Sequence, residues 1–385
     1  MSKSARPRPP RWRRSPFLGV PEEVVVEILV RLPATCLVHL KRVCRSWRTL
    51  ISSPEFARYQ LERSIAHGMQ TSHARIAYSG HFLGLRRIGF SPLHSVFDNP
   101  SSSAKVVCVE ALRCYHIVGS CNGLLCVLDT VSRTRVRLWN PCTGFTSESL
   151  RTGAFVLTCG FGYDHVNHKY KFFAAVKRKR SRFRDIVTKI FTFGVNHRWK
   201  RIENSPLIFH PFYFVSVIGL KGEFVKGTLN WVVPRPKNVI VYLDLGSETY
   251  GELCLPQRDP DDNFSITPVI GVLRNCLSVG FDHKKTHWAL WLLNENQCWT
   301  KLAMIPYHPI FRLARLRTLY ISDDDVLLVI GRNDDKLYLI YLNDGRIVLR
   351  MIDSSSHNDV SWSQGIDSRT LSVYYPSLVG DGVMF

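Results

Sequence analysis

The chain has 385 residues, 45% hydrophobic, 11% aromatic and 21% charged, a composition that supports buried cores and excludes an intrinsically disordered chain. Its longest apolar stretches, such as Phe212 to Leu220 and Val326 to Ile330, fall well short of the ~20 residues that cross a bilayer, so no span is expected. The formal charge of +20 favours acidic partners and is concentrated in two runs, Lys3 to Arg14 and Lys177 to Arg184, each holding six cations and no acid.

Residues 1–16 mix Pro, Ser and Arg with almost nothing to bury and are expected to be a disordered basic tail. They lack the apolar core of a secretory signal, which points to the cytosol or nucleus. From Pro21 the pattern turns helical: Pro21 suits a first turn, Glu22 and Glu23 suit the positive end of the helix dipole, and Val24, Ile28 and Val25, Leu29 recur at i and i+4. Leu32-Pro33 closes that helix. A second periodic stretch begins at Thr35, runs through Leu37, Leu40, Val43, Trp47, Leu50 and Ile51, and stops at Ser53-Pro54. Leu40, Val43, Trp47 and Leu50 are expected to pack these helices together. Residues 17–62 thus read as two or three short helices, too small a unit to hold a sufficient core alone, so the module needs a partner. Residues 63–72 read as a linker.

From His73 to Phe385 short runs rich in Val, Ile, Phe, Tyr and Trp are bounded by Gly, Asn, Asp and Pro, the texture of an all-β domain. Strand pairs are expected at Leu124–Leu128 with Arg135–Trp139, Tyr170–Val176 with Thr188–Phe193, and Thr228–Val233 with Val239–Leu243. Single strands are expected at Trp288–Leu293, Val326–Ile330 and Leu337–Leu342. Landmarks at Trp139, Trp199, Asp244, Trp299 and Asn343 are spaced by 60, 45, 55 and 44 residues. Repeats of ~40 to 50 residues suit propeller blades and suggest about seven, with six or eight also compatible. A pair of β-sandwiches is the alternative. The expected fold class is α+β multidomain: a small N-terminal helical module before an all-β, propeller-like domain.

The eleven cysteines include no CxxC pair and are expected to be reduced thiols, mostly buried in strands, with neither a disulfide framework nor a metal site. No GxSxG, HExxH, P-loop or strand-borne GxGxxG occurs. His165, His168, His283 and His287 sit in turns with Asp164 and Asp282, where loop capping is the expected role. No catalytic residue, cofactor or metal is assigned.

The run Val20-Pro21-Glu22-Glu23-Val24-Val25-Val26-Glu27-Ile28-Leu29-Val30-Arg31-Leu32-Pro33, continued by Leu37 and by Val43-Cys44-Arg45-Ser46-Trp47-Arg48, resembles an F-box. That family opens on Leu-Pro, carries Ile-Leu-x-Arg-Leu-Pro at its centre and Val-Cys-Lys-x-Trp-Arg in its third helix. Here Val20 replaces the first Leu and Arg45 the Lys. Gly119-Ser120-Cys121-Asn122-Gly123-Leu124-Leu125-Cys126, Leu138-Trp139-Asn140-Pro141-Cys142-Thr143-Gly144, Phe161-Gly162-Tyr163-Asp164 with Tyr170-Lys171, and Gly227-Thr228-Leu229-Asn230-Trp231 are similar to the F-box-associated, kelch-like domain of plant F-box proteins. Read bottom-up, these motifs are turn and packing chemistry.

The resemblance implies a non-catalytic substrate-recognition subunit of a Skp-cullin-F-box ubiquitin ligase. Val20, Pro21, Ile28, Leu29, Leu32, Pro33 and Leu37 would contact a Skp-type adaptor and, through it, a cullin. The β domain would hold a target protein, an acidic one on the charge balance. The alternative is an adaptor-binding or nucleic-acid-associated protein with no part in ubiquitination. The Lys177–Arg184 run reads first as a solvated hairpin loop, then as a nuclear import signal, then as an anionic-partner surface.

Overall fold

The computed structural model describes residues 21–66, 73–82, 85–98, 107–109, 114–177, 186–194, 198–207, 221–233, 238–257, 267–307, 316–331, 336–350, 364–366 and 370–380. The tail 1–16, Val20, and all of the Lys177–Arg184 run except Lys177 lie outside them.

The N-terminal module holds four helices, α1 (Glu22–Leu29), α2 (Ala34–Leu40), α3 (Arg45–Ser52) and α4 (Pro54–Ala66). The stretch expected to be continuous from Thr35 breaks at Lys41–Cys44, because Cys44 is extended and its thiol accepts the Trp47 amide at 3.4 Å, capping α3. Ser53-Pro54 ends α3 and also starts α4: the Ser53 hydroxyl accepts the Phe56 amide at 3.2 Å, and proline suits a first helical position. Residues 63–66 are therefore helical rather than linker, since α4 continues far enough to bury Leu61 and Ser64.

The β domain opens with β1 (Arg75–Phe82) and β2 (Leu85–Pro92), then α5 (Leu93–Asp98), unforeseen in the sequence, and β3 (Val107–Val109). Meanders follow: β4 (Tyr115–Cys121), β5 (Leu124–Asp129), β6 (Arg135–Trp139) and β7 (Leu150–Arg151); then β8 (Phe155–Asp164), β9 (Lys169–Lys177), β10 (Val187–Thr192) and β11 (Trp199–Arg201). Next come β12 (Lys221–Val225), β13 (Thr228–Val233), β14 (Val239–Asp244) and β15 (Tyr250–Leu253), and β16 (Val269–Leu273), β17 (Cys276–His283), β18 (His287–Leu293) and β19 (Trp299–Pro306). The last meander is β20 (Leu316–Ile321), β21 (Val326–Gly331), β22 (Leu337–Tyr341) and β23 (Ile347–Arg350). The chain ends with β24 (Gln364–Ile366) and β25 (Ser372–Tyr374), both paired antiparallel with β1.

The inner strands β4, β8, β12, β16, β20 and β25 touch in that order, and β25 returns to β4, closing a ring. The domain is a propeller of six blades among the described residues rather than about seven. The sixth blade joins the two ends of the domain, β25 inside β1, β2 and β3, so dividing total length by a mean period overcounts. β8 and β12 approach so closely that they pair in parallel at Lys221↔Cys159 and Gly222↔Gly160. A side chain at Gly222 would meet Trp231 Cζ2 at 2.5 Å.

In each meander the inner strand's C-terminal end defines one face. At the opposite rim the outer strand ends and the chain passes to the next blade. Of the ten cysteines whose side chains are described, all free, only Cys121, Cys126 and Cys159 are buried, so most of these thiols do not fill the core as expected.

The Phe161–Asp164 and Tyr170-Lys171 motif ties two blades together. Lys171 Nζ lies 2.9 Å from Asp164 Oδ2 and 2.7 Å from Glu248 Oε1, and donates to the Leu245 carbonyl at 2.6 Å. Asp164 also accepts the Val166 and Asn167 amides, closing the β8–β9 turn. Burial opposes the Asp164 charge, yet Asn167 and Lys171 hold its carboxyl below the ordinary value, and Glu248 is lowered likewise by Lys171 and Lys200 against its own burial. Lowered carboxylates add stability above their unfolded values near pH 4, and that stability is lost as pH falls through the folded ones. Asp164→Asn, which leaves a buried ammonium short of a partner, is expected to cost about 3 kcal/mol in urea unfolding at pH 7. The gap to the wild type should narrow as the titration is taken below about pH 4.

Candidate functional site

The helical module does not stand apart from the propeller. Its core of Val26, Leu29, Val30, Ala34, Leu37, Leu50, Ile51, Phe56 and Ala57 includes Leu378, from beyond β25, with Cys142 packed at its margin. In return Leu61 of α4 enters the propeller core beside Cys121, Phe161, Tyr170 and Val379. The module sits on the face where β4, β6, β8 and β25 end.

That seat is organised by Asn140, which is fully buried. Its Nδ2 donates to the carbonyls of Ser377 (2.9 Å) and Val379 (2.6 Å). Its Oδ1 accepts from the Cys142 amide (2.8 Å) and the Tyr374 hydroxyl (3.2 Å). Ser377 Oγ donates to the Asn122 carbonyl at 2.7 Å, and Gly123, at φ 78°, has no room for a side chain against Ser377. The Asn-Gly and Asn-Pro motifs are thus turns that also hold the C-terminal segment in place, a tertiary role that turn chemistry does not disclose. Burial pushes the Cys142 thiol up to about 11 against the opposing fields of Arg75 and Lys41, so it serves the seat as a neutral filler.

Inside the module Glu27 ties α1 to α4. Its Oε1 lies 2.8 Å from Arg31 Nη2 and 3.0 Å from Arg63 Nη1, and the Arg31 hydrogen bond leads in holding its pKa below the ordinary value despite some burial. Gln60 Nε2 donates to the Leu32 carbonyl at 3.2 Å, fixing the turn between α1 and α2.

With one face on the propeller, the module still keeps large apolar side chains in water. Val24 is 46% exposed, Ile28 55% and Val43 58%, three of the six large exposed hydrophobics among the described residues. The structure divides the expected contact set. Pro21 and Ile28 are exposed, and Leu32 and Pro33 are half-buried. Leu29 (1% exposed) and Leu37 (0%) lie in the shared core, so they support the outer face rather than form it. Val43, expected to pack helices together, stands outward, whereas Leu50 is internal and Leu40 and Trp47 are half-buried. Val24 was absent from the expected set; its i,i+4 spacing to Ile28 was the available signal.

The histidine turns behave as caps. Asp164 closes the β8–β9 turn, Asp282 accepts the Lys285 amide at 3.0 Å, and His283 pairs with His287 across a hairpin. Among the described residues no group of three or more His, Cys, Asp or Glu is placed to hold a metal, and no helix is long and apolar enough to cross a membrane.

Comparison with known proteins agrees with this division. The F-box domain family matches residues 17–59, and the F-box associated beta propeller domain family matches residues 93–380. An F-box/kelch-repeat protein of Arabidopsis thaliana is 30% identical over 336 residues, covering 83% of this chain and 87% of that one. The F-box protein CPR1 of Arabidopsis thaliana is 26% identical over 366 residues, covering 88% and 86%. Among solved structures, a chain of a nidogen/laminin complex is similar over 79% of this chain and 99% of that one, at 9% identity and a TM-score of 0.44, too loose a likeness to bear on function.

Asn140→Asp keeps the side chain's shape but cannot donate to two carbonyls. It is expected to cost at least about 2 kcal/mol in urea unfolding followed by tryptophan fluorescence. Leu378→Ala removes a core side chain, at about 2–5 kcal/mol, and should speed tryptic cleavage at the exposed Arg42, Arg45 and Arg48 of the module.

Proposed function

We propose, from the premise that the chain belongs to the F-box proteins carrying an F-box associated beta propeller domain, that it is the substrate-recognition subunit of a Skp-cullin-F-box ubiquitin ligase. The helical module holds a Skp-type adaptor and thereby a cullin. The propeller holds a target protein in the cytosol or nucleus. The observation that carries this reading is the apolar surface the module leaves in water: Val24, Ile28 and Val43 remain exposed after the propeller has covered the module's inner face. The proposed contact set is Val20, Pro21, Val24, Ile28, Leu32, Pro33 and Val43, with Leu29 and Leu37 shaping it from beneath.

The chain's contribution to rate is proximity. A target held on the propeller meets an activated ubiquitin carried on the same scaffold, so a dilute encounter becomes effectively intramolecular. No residue here needs to touch the reacting bond, and the role proposed is non-catalytic. The target face is the rim opposite the module, where the blades connect and where β9 ends at Lys177, the first residue of the basic run. The +20 charge favours an acidic target.

Val24→Asp with Ile28→Asp places two charges on the outer face without entering the core. Co-purification of a Skp-type adaptor should fall by about 100-fold or more, consistent with loss of central apolar anchors, while the melting temperature holds. Undiminished adaptor binding by this variant would refute the assignment.

A further inference from the structure

The helices of the module treat their positive ends differently. α1 opens on Glu22 and Glu23, and α4 carries Glu55 in its first turn, as the helix dipole favours. α3 does the reverse. Its first turn holds Arg45 and Arg48 and no acid, and Arg42 stands in the turn just before it. All three arginines are exposed. Among the described residues no carboxylate forms an ion pair with any of them, whereas Arg31 and Arg63 of the same module share Glu27.

Local structure gathers these cations on one corner. Arg45 and Arg48 are three apart on α3 and so share a helix face, which the exposed Thr49 and Ser52 continue. Arg48 Nε donates to the Lys41 carbonyl at 3.3 Å, which folds Arg48 back over the turn between α2 and α3. That turn carries Arg42 and Val43, and Val43 is 58% exposed. Cys44 holds the turn against α3 by accepting the Trp47 amide. Lys41 does not belong to the corner: it is half-buried near Cys142 of the propeller seat, and burial lowers its pKa. What remains is an apolar side chain set among three guanidinium groups with no acid to meet them. Cations at the positive end of a helix oppose its stability, and a local rule broken without compensation inside the chain marks a functional site.

We infer that this corner between α2 and α3 is a docking surface for an acidic segment of the Skp-type adaptor, with Val43 as its apolar anchor and Arg42, Arg45 and Arg48 meeting the segment's carboxylates. That the partner is the adaptor rests on the receptor reading above. An apolar anchor inside a polar rim is the anatomy of a protein interface, and arginine is the cation best suited to hold a carboxylate there. Single-stranded nucleic acid fits less well, because it relies on free aromatic faces for stacking. The one aromatic residue of the corner, Trp47, is half-buried against the module core.

The test uses the full chain and a recombinant Skp-type adaptor, with association and dissociation rates read by surface plasmon resonance at low and high salt and an oligothymidylate run alongside. Arg42→Glu with Arg45→Glu should slow adaptor association by about tenfold or more at low salt, and the gap to the wild type should close as salt rises. The melting temperature of this variant should equal or exceed that of the wild type, because an acid then stands at the positive end of α3. A purely structural role for the two arginines would lower it. Arg42→Gln with Arg45→Gln, which removes the charges without reversing them, should fall between in association rate. An association rate and salt dependence equal to the wild type in the reversed variant would overturn this contact and leave the receptor reading standing. No adaptor binding by the wild type would sink the receptor reading and the contact with it. An oligothymidylate that bound more tightly than the adaptor, through the same arginines, would also overturn the proposal.

Discussion

The buried Asn140 amide is the constraint on which the rest depends. With two N–H groups and one oxygen it holds the carbonyls of Ser377 and Val379, the amide of Cys142 and the hydroxyl of Tyr374. A propeller has to join its last blade to its first, and here the joining strand, Ser372–Tyr374, is only three residues long. With β24, also three residues long, it gives β1 only a short ladder. The Asn140 network extends it past the end of β25, and Lys221 adds hydrogen bonds to the Leu371 carbonyl (3.1 Å) and the Ser372 hydroxyl (2.7 Å) from the far side of the ring. Satisfied polar networks in a dry setting fix one arrangement because every alternative leaves several groups unpaired.

The same closure builds the seat for the helical module. Leu378 follows immediately on the clamped Ser377 and completes the module's core. A unit of this size cannot bury enough apolar surface alone, which is why its sequence implies a partner. The structure shows part of that need met within the chain. One face is covered by the protein's own C-terminal segment, and Val24, Ile28 and Val43 stay open. The i,i+4 pattern of α1 contains both stripes, Val25 with Leu29 and Val24 with Ile28, and periodicity cannot say which faces inward. The residue that decides it, Leu378, lies at the other end of the chain.

That asymmetry explains what could be read in advance. The second and third strands of the meanders were legible: Leu124–Asp129, Arg135–Trp139, Thr228–Val233 and Val239–Asp244 combine β-branched and aromatic residues with plain turn chemistry at their ends. The inner strands were harder. β8 is buried along almost its whole length, so it shows no alternation, and its Gly160 and Gly162 serve the close approach of β8 to β12 and its neighbours. Helix α4 was hidden by Pro54, which marks a stop and a start alike. The Tyr170-Lys171 motif does not disclose that Asp164 and Glu248 are brought to the buried Lys171 from two blades.

The interlocked cores bear on mechanism as well as stability. Leu61 of the module lies in the propeller core while Leu378 of the propeller segment lies in the module core, so each unit holds a side chain of the other. Swinging the module away would withdraw both, and removing even one buried leucine from its packing costs about 2–5 kcal/mol. The orientation of the open apolar face relative to the opposite rim is therefore set by packing and not by the length of residues 67–72. Proximity accelerates a reaction only to the extent that the tether holds a productive geometry, and a flexible joint spreads the same contacts over a larger volume. A receptor that presents a target to a separately held reactive group gains from a joint of this kind, because the stiffness that closes the propeller also fixes the distance across it.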